Sequence, residues 1–268
     1  MISIETEKFS DFLISLDLPY SRCGNMFMVT KSINYQPNHE IRIRFVPLDE
    51  YGKGVETSSG NISDITIYED EWVTKHQLIV NRLKANLGFH KSIFARNCHA
   101  KTISIQEAKK FLDNNHILGD TRNQYRYGLF TLKDTEKVRK GSLVAVATFS
   151  KPRVMNREYG QVDSYEWLRY ANLTDFRIVG GMGKLMEKFI VEVNPDEIMS
   201  YADIGWGRGE AYFRLGFSLI GKTDPIEFHI NKETLQRVSA KSDFNTENIL
   251  ILRNQGNLKF IRRSGRVR

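Results

Sequence analysis

Three glycines, Gly180, Gly181 and Gly183, stand directly before an apolar stripe of Leu185, Met186, Phe189, Ile190 and Val193. The stripe has the 3.6-residue spacing of an amphipathic helix. A helix start offers unpaired backbone N–H groups and the positive end of its dipole. Glycines there remove the side chains that would keep a phosphate away. Val179 and Met182 belong to the same loop, and Arg177 and Lys184 flank it with positive charge. About twenty residues on, Ser200-Tyr201-Ala202-Asp203 reads as a strand end, and Tyr212-Phe213-Arg214-Leu215-Gly216 as a short helix stopped by glycine. Together the two stretches suit a protein that holds a pyrophosphate-bearing cofactor on backbone amides. The spacing is neither G-x-x-x-x-G-K-[ST] nor G-x-G-x-x-G. The loop is equally consistent with a tight turn that packs a helix on a sheet.

The elements around these residues predict an α/β (α+β) fold. A helix spans Lys8 to Leu16, and alternating Ile41, Ile43 and Phe45 mark a half-buried strand. Tyr51 to Asn61 is a loop, Asp64 to Tyr68 a strand, and Glu69 to Leu87 helical up to Gly88. Ser104 and Glu107 form a capping box for a helix over 105–114. Strands over 127–130 and 143–149 pair across a polar loop, and 150–163 is a loop before a strand over 164–170. A helix over 183–193, a strand over 197–201, a helix around 210–215 and strands over 217–221 and 226–230 complete the order. The predicted division is 1–98 as a small N-terminal α+β domain, 99–235 as a mixed sheet flanked by helices, and 236–268 as an extension.

Composition narrows the setting. The chain has 268 residues, 41% hydrophobic and 26% charged, enough apolar material for a core. No apolar run approaches the roughly 20 residues that cross a bilayer, so no membrane association is expected. The start shows no basic segment followed by an apolar one, and a cytoplasmic setting is the expectation. The two cysteines, Cys23 and Cys98, match no metal-ligand spacing. The net charge of +7 gathers near the end, at Arg253, Lys259, Arg262, Arg263, Arg266 and Arg268. Such a tail suits nucleic acid phosphates or a solvated terminus.

The region 102–230 resembles the GNAT superfamily, the Gcn5-related N-acetyltransferases. The resemblance rests on Arg177, Gly180 and the helix positions Leu185 and Met186, and on Tyr212 ahead of Leu215-Gly216-Phe217. It implies acetyl-CoA or another acyl-CoA as donor, with its pyrophosphate on the amides of residues 177–184. It also implies Tyr212 as general acid to the leaving thiolate, and a V-shaped opening between the strands 164–170 and 197–201 that admits the pantetheine arm. Met182 departs from the family's glycine or alanine. Within the superfamily, Ser200-Tyr201-Ala202-Asp203 with Gly207, Gly209 and Tyr212, and Tyr165-Glu166-Trp167-Leu168-Arg169-Tyr170, resemble phage Mom-type DNA adenine-modification proteins. That likeness implies Asp203 and Glu166 as site residues, since a carboxylate on a strand end can deprotonate an attacking nitrogen. Capping by Asp203 and pairing of Glu166 with Arg169 or another basic residue are the structural alternatives. In this topology the loop at His116 reaches the acceptor pocket, where a neutral imidazole suits a base. A helix end with its carbonyl satisfied is the other reading. Trp167 and Trp206 suit stacking on a base, or the core. Residues 62–98 resemble the tail of a Vsr-like endonuclease domain, without the upstream catalytic block. Glu69 and Asp70 there are metal ligands or, as the simpler reading, solvated carboxylates. A nucleic-acid-binding module of a phage or mobile element is the alternative function, and the oligomeric state is left open.

Overall fold

The computed structural model describes residues 3–31, 39–53, 64–158, 160–238 and 246–264. Most of the loop expected over 51–61, from Gly54 on, and the basic residues Arg266 and Arg268 lie outside them. Two compact units emerge. One holds the chain up to His76 with Ala202–Gly209 and Lys222–Leu258; the other holds Gln77–Tyr201, Glu210–Gly221 and the chain from Lys259. These are not the contiguous segments 1–98, 99–235 and 236–268 read from the sequence. Contacts made by distant parts of the chain decide the division, and such contacts leave no local pattern.

The first unit opens with α1 (Ile4–Ser15), whose Ser3 hydroxyl accepts from the Thr6 amide. Strands β1 (Tyr20–Cys23), β2 (Met26–Lys31), β3 (His39–Val46) and β4 (Ile65–Tyr68) form one sheet in that order. The first two pairs are antiparallel and β3–β4 is parallel. Alternation in β3 does what the sequence implied: Ile41, Ile43 and Phe45 are buried. Phe9 of α1 lies 4.9 Å from Phe27 and 5.3 Å from Trp72 between ring centroids, and this aromatic group is the core.

Helix α2 (Glu69–Thr74) begins with three carboxylates, all buried. They are neither solvated nor arranged around a metal ion. Glu69 accepts from the Leu48 amide at 3.1 Å and from Ser3 at 3.3 Å. Asp70 accepts from Tyr51 Oη at 2.6 Å and from Arg237 Nε at 2.6 Å, and Glu71 pairs with Arg237 at 3.1 Å. Among the described residues no group of His, Cys, Asp or Glu could hold a metal ion.

The chain then runs through α3 (His76–Leu87), β5 (Lys91–Phe94), β6 (Cys98–Thr102) and α4 (Ile105–Asn115). Next come β7 (Tyr125–Thr131), β8 (Leu143–Phe149), β9 (Arg153–Arg157), β10 (Gly160–Asn172) and β11 (Phe176–Val179). Then follow α5 (Gly181–Val193), β12 (Glu197–Asp203), α6 (Glu210–Arg214) and β13 (Ser218–Lys222). Strands β14 (Glu227–Asn231), β15 (Arg237–Val238) and β16 (Ile249–Arg253) form an antiparallel sheet in the first unit. Strand β17 (Asn257–Arg263) closes the order.

The second unit carries a mixed sheet in the order β13-β17-β12-β10-β8-β7-β6, with β9 also paired to β10. Helix α5 covers one face: Phe189 stacks on Phe149 with centroids 4.0 Å apart and planes 2° from parallel. Helix α4 covers the other, with Ala108, Phe111 and Leu112 packed on Val146 and Ala171. Its capping box is formed as the sequence requires, Ser104 Oγ accepting from the Glu107 amide and Glu107 Oε2 from the Ser104 amide. The fold is therefore α/β, a large mixed sheet flanked by helices.

Two expectations are corrected. The loop predicted over 150–163 contains β9, an antiparallel partner of β10 from Arg153↔Ser164 to Arg157↔Gly160. The basic tail is no free terminus as far as Ser264, because Lys259, Arg262 and Arg263 sit in β17, between β13 and β12. Arg253 is held by Glu227 at 2.9 Å.

Arg237 is the only cation bonded to Asp70 among the described residues, and Asp70 is fully buried. Replacing Arg237 by Met should cost about 3–5 kcal/mol, because it leaves a buried carboxylate without its counter-charge. Urea denaturation of the full chain checks this, and a loss below about 1 kcal/mol would show that the pair does not stabilise the unit.

Candidate active site

The centre of the second unit is the pair β10 and β12. They run parallel and are paired from Ser164↔Glu197 to Trp167↔Ser200. Beyond that point β10 continues to Asn172 and β12 to Asp203 without pairing to each other. The parting coincides with a β-bulge at Leu168: Trp167 opposes Phe149 and Arg169 opposes Thr148 on β8. A bulge inserts one residue, bends its strand and increases local twist. Past the bulge β10 stays paired with β8, while its pairing with β12 ends at Trp167 and Ser200.

Ser200 sits where that pairing ends. Its hydroxyl lies 3.0 Å from the Trp167 carbonyl across the two strands and 2.9 Å from Tyr212 Oη. Tyr212 comes from α6 and is packed flat on Phe260 of β17, with centroids 5.0 Å apart. Phe217 and Trp167 present edges to its ring at 5.4 and 6.3 Å. Burial raises the Tyr212 hydroxyl above its ordinary range, while the Ser200 hydrogen bond and the Arg82 charge oppose that in part. The phenol therefore keeps its proton at neutral pH.

Glu166 precedes Trp167 on β10, so its side chain leaves the sheet on the opposite face. Among the described residues no hydrogen bond or ion pair holds its carboxylate, which stays half-buried. It is near enough to Tyr201 and Arg169 to act on their charges: it helps burial to raise Tyr201, and it opposes the lowering of Arg169 by burial. The pairing expected between Glu166 and Arg169 is not formed. Arg169 instead donates to the carbonyls of Gly119 and Leu168.

The glycine loop joins β11 to α5. Gly180 adopts the left-handed conformation at φ 78°, and no side chain caps the helix. The first bond inside the helix runs from the Lys184 amide to the Gly180 carbonyl, so the amides of Gly181, Met182 and Gly183 precede the ladder. Gly181 is required for packing: a Cβ there would meet Tyr170 Oη at 2.6 Å and Ile178 at 3.0 Å. Met182 is half-buried in the first turn, and Arg177 and Val179 are exposed on β11. Lys184 does not serve the loop. Its Nζ donates to the carbonyls of Ala95 and Cys98 at 3.0 and 2.5 Å, and its amide is used within the helix.

Other expected site residues are placed elsewhere. Asp203 falls in the first unit and caps the turn that follows, its Oδ1 accepting from the Gly205 amide at 2.8 Å. Trp167 is 3% exposed and stacks on Phe149, so it presents no platform to a base. Trp206 lies in the first unit, half-buried in that same turn. His116 ends α4 and its Nδ1 accepts from the Leu118 amide at 3.1 Å. It lines a cavity of about 260 Å³ and does not join the hydrogen bonds around Tyr212. Ser200 and Arg82 were not anticipated. The hydroxyl at 200 had a signal in the block Ser200–Asp203, but Arg82 lies in α3, outside the segment that carried the motifs.

No family model matches the chain, and no curated protein matches it. Among solved structures it is similar to a Bacillus subtilis acetyltransferase in complex with CoA, at 12% identity and a TM-score of 0.36, over 62% of this chain and 98% of that one. It is similar to a nourseothricin acetyltransferase at 12% identity and 0.37, over 62% and 98%. A spermidine N-acetyltransferase SpeG from Vibrio cholerae matches at 11% identity and 0.36, over 63% and 94%. Likenesses this loose establish neither family nor activity.

The contact between Gly181 and Tyr170 is directly testable. Gly181→Ala should destabilise the protein by about 1–3 kcal/mol through overpacking. Tyr170→Phe in the same chain should recover part of that loss, because the Tyr170 hydroxyl is the nearest obstacle. Thermal or urea unfolding of the single and double variants decides the matter. An Ala variant as stable as the native protein would show that packing does not require this glycine.

Proposed function

We propose that the protein is an acyl-CoA-dependent N-acyltransferase of GNAT type. The observation that carries this reading is the end of the β10–β12 pairing at Trp167 and Ser200, with a buried, protonated tyrosine beside it and an uncapped helix start at Gly180–Gly183. Strands that stop pairing at this point support the opening that the GNAT resemblance implies for a pantetheine arm. The left-handed Gly180 and the free amides of Gly181, Met182 and Gly183 are suited to a pyrophosphate, with Arg177 exposed beside them.

The chemistry divides between the two faces of the sheet. Glu166 takes the proton of the attacking nitrogen on one face. The new C–N bond forms as the C–S bond breaks, and Tyr212 gives its hydroxyl proton to the departing sulfur on the other. Ser200 holds the Tyr212 oxygen at the strand apex. Asp203 is a weaker choice of base, since its carboxylate already caps Gly205.

A nucleic acid base as acceptor, which the Mom-type likeness suggests, has less support. Trp167, the aromatic residue expected to stack on it, is in the core. Binding through a basic tail has less support as well, since Lys259–Arg263 form part of a strand.

Calorimetry with acetyl-CoA should give saturable binding to the wild-type chain, and absence of binding by a folded sample overturns the reading. With an active acceptor, Tyr212→Phe should lower kcat by about 10²-fold, within the usual range for a lost general acid, and leave acetyl-CoA affinity in place. The sign of the pH effect follows from the raised Tyr212 pKa. Activity that needs the protonated phenol persists through neutral pH and falls only above the ordinary tyrosine value of about 10. An alkaline limb near pH 7 that Tyr212→Phe abolishes would contradict the assignment.

A further inference from the structure

Strand β13, Ser218-Leu219-Ile220-Gly221-Lys222, is one edge of the mixed sheet, and all of its residues are exposed. Alternation sends Leu219 to one face and Ile220 to the other, yet they stay 46% and 49% exposed. Neither face of the strand is therefore sealed by a packed layer. Among the described residues its main chain bonds only to β17. A row of outward N–H and C=O groups is a template for another strand. This edge also lacks the usual protection. No proline interrupts it, and its single charge, Lys222, stands at its end. The opposite edge differs: β6 carries His99 and Lys101 within the strand, and its Cys98 carbonyl accepts from Lys184 at 2.5 Å.

The strand is complementary to itself. In antiparallel pairing the side chains of opposed residues share a face, so a two-fold axis must fall on a residue. Only an axis at Ile220 uses the whole strand. Ser218 then stands opposite Lys222 of the second copy, Leu219 opposite Gly221, and Ile220 opposite Ile220. No like charges meet, and the large side chain at 219 has a glycine across from it. Charge adds to this fit. Ser218 and Ile220 line a groove of about 680 Å³ together with Arg157, Glu158 and Glu197. Arg157 is committed to Glu197, at 3.1 and 2.6 Å. Glu158 is exposed and makes no ion pair among the described residues, and the same holds for Lys222. Lys222 shares a face with Ser218 and Ile220, so pairing brings it to the groove side of the second copy, beside Ser218 and toward Glu158.

We propose that β13 is a homodimer interface: two copies of this chain pair edge to edge and antiparallel through Ser218–Lys222, with Ile220 on the axis and Lys222 of each copy meeting Glu158 of the other. A second copy suits this edge better than a foreign strand because the contact is the same patch on both sides and closes after one pairing. Each copy then covers the exposed edge of the other, and the joined sheet offers no β13 template for further chains. The proposal is independent of the acyltransferase reading.

Sedimentation equilibrium of the full chain should show a dimer that dissociates on dilution. Ile220→Lys places two positive charges directly across the axis and should raise the dissociation constant at least about tenfold, with the circular dichroism spectrum unchanged. Lys222→Glu should weaken the dimer, and Glu158→Lys added to the same chain should restore it, a rescue that a local folding defect would not give. Cross-linking reads the register. With the exposed Cys23 replaced by Ser, Ile220→Cys should give a disulfide-linked dimer under mild oxidation, and Leu219→Cys, opposite Gly221, should not. A chain that stays monomeric at its highest soluble concentration overturns the proposal. So does a dimer that Ile220→Lys leaves intact, or one that Leu219→Cys links and Ile220→Cys does not.

Discussion

The second unit turns on one hydroxyl group. Ser200 Oγ reaches the Trp167 carbonyl where β10 and β12 stop pairing, and the same oxygen meets Tyr212. A buried carbonyl at the end of a ladder needs a donor, and a short side chain from the neighbouring strand supplies it. The bond closes the paired half of the two strands. The bulge at Leu168 opens the other half by tying β10 to β8 in a shifted register.

The helix on the same face is fixed by equally short contacts. Tyr170 lies against Gly181 closely enough that no larger residue fits without a shift. Lys184 anchors the first turn from the other side through two main-chain carbonyls. A lysine that ends on carbonyls adds no free charge to the loop above it. The electrostatics of the loop therefore come from backbone amides and exposed Arg177, not from a pair of flanking cations. The structural reading of the glycines holds at two positions: Gly181 answers to Tyr170, and Gly180 to a left-handed turn.

What was legible in the sequence was local. The capping box at Ser104 and Glu107, the strand 143–149 and the alternation in β3 follow from short-range rules, and each appears as expected. The glycine loop and Tyr212 stand out by motif, and the two predicted strands β10 and β12 pair in parallel up to Trp167 and Ser200. What was missed depends on distant partners. Strand β17 reads as a run of positive charge, although Leu258 and Phe260 alternate with Lys259, and only insertion between β13 and β12 makes it a strand. Strands β5 and β11 pair with each other in parallel, far apart in sequence. The buried run Glu69-Asp70-Glu71 looks solvated until Arg237, 167 residues away from Asp70, is placed beside it.

The positions of Tyr212 and Glu166 follow from the same alternation that builds the sheet. Adjacent residues of a strand face opposite ways, so Trp167 enters the aromatic packing while Glu166 leaves it. The aromatic side excludes water and holds a phenol neutral; Phe260, Phe217 and Trp167 surround it, and Ser200 is its polar neighbour. On the other side the carboxylate remains half-buried and unbonded among the described residues. The phenol and the carboxylate thus lie on opposite sides of a single strand.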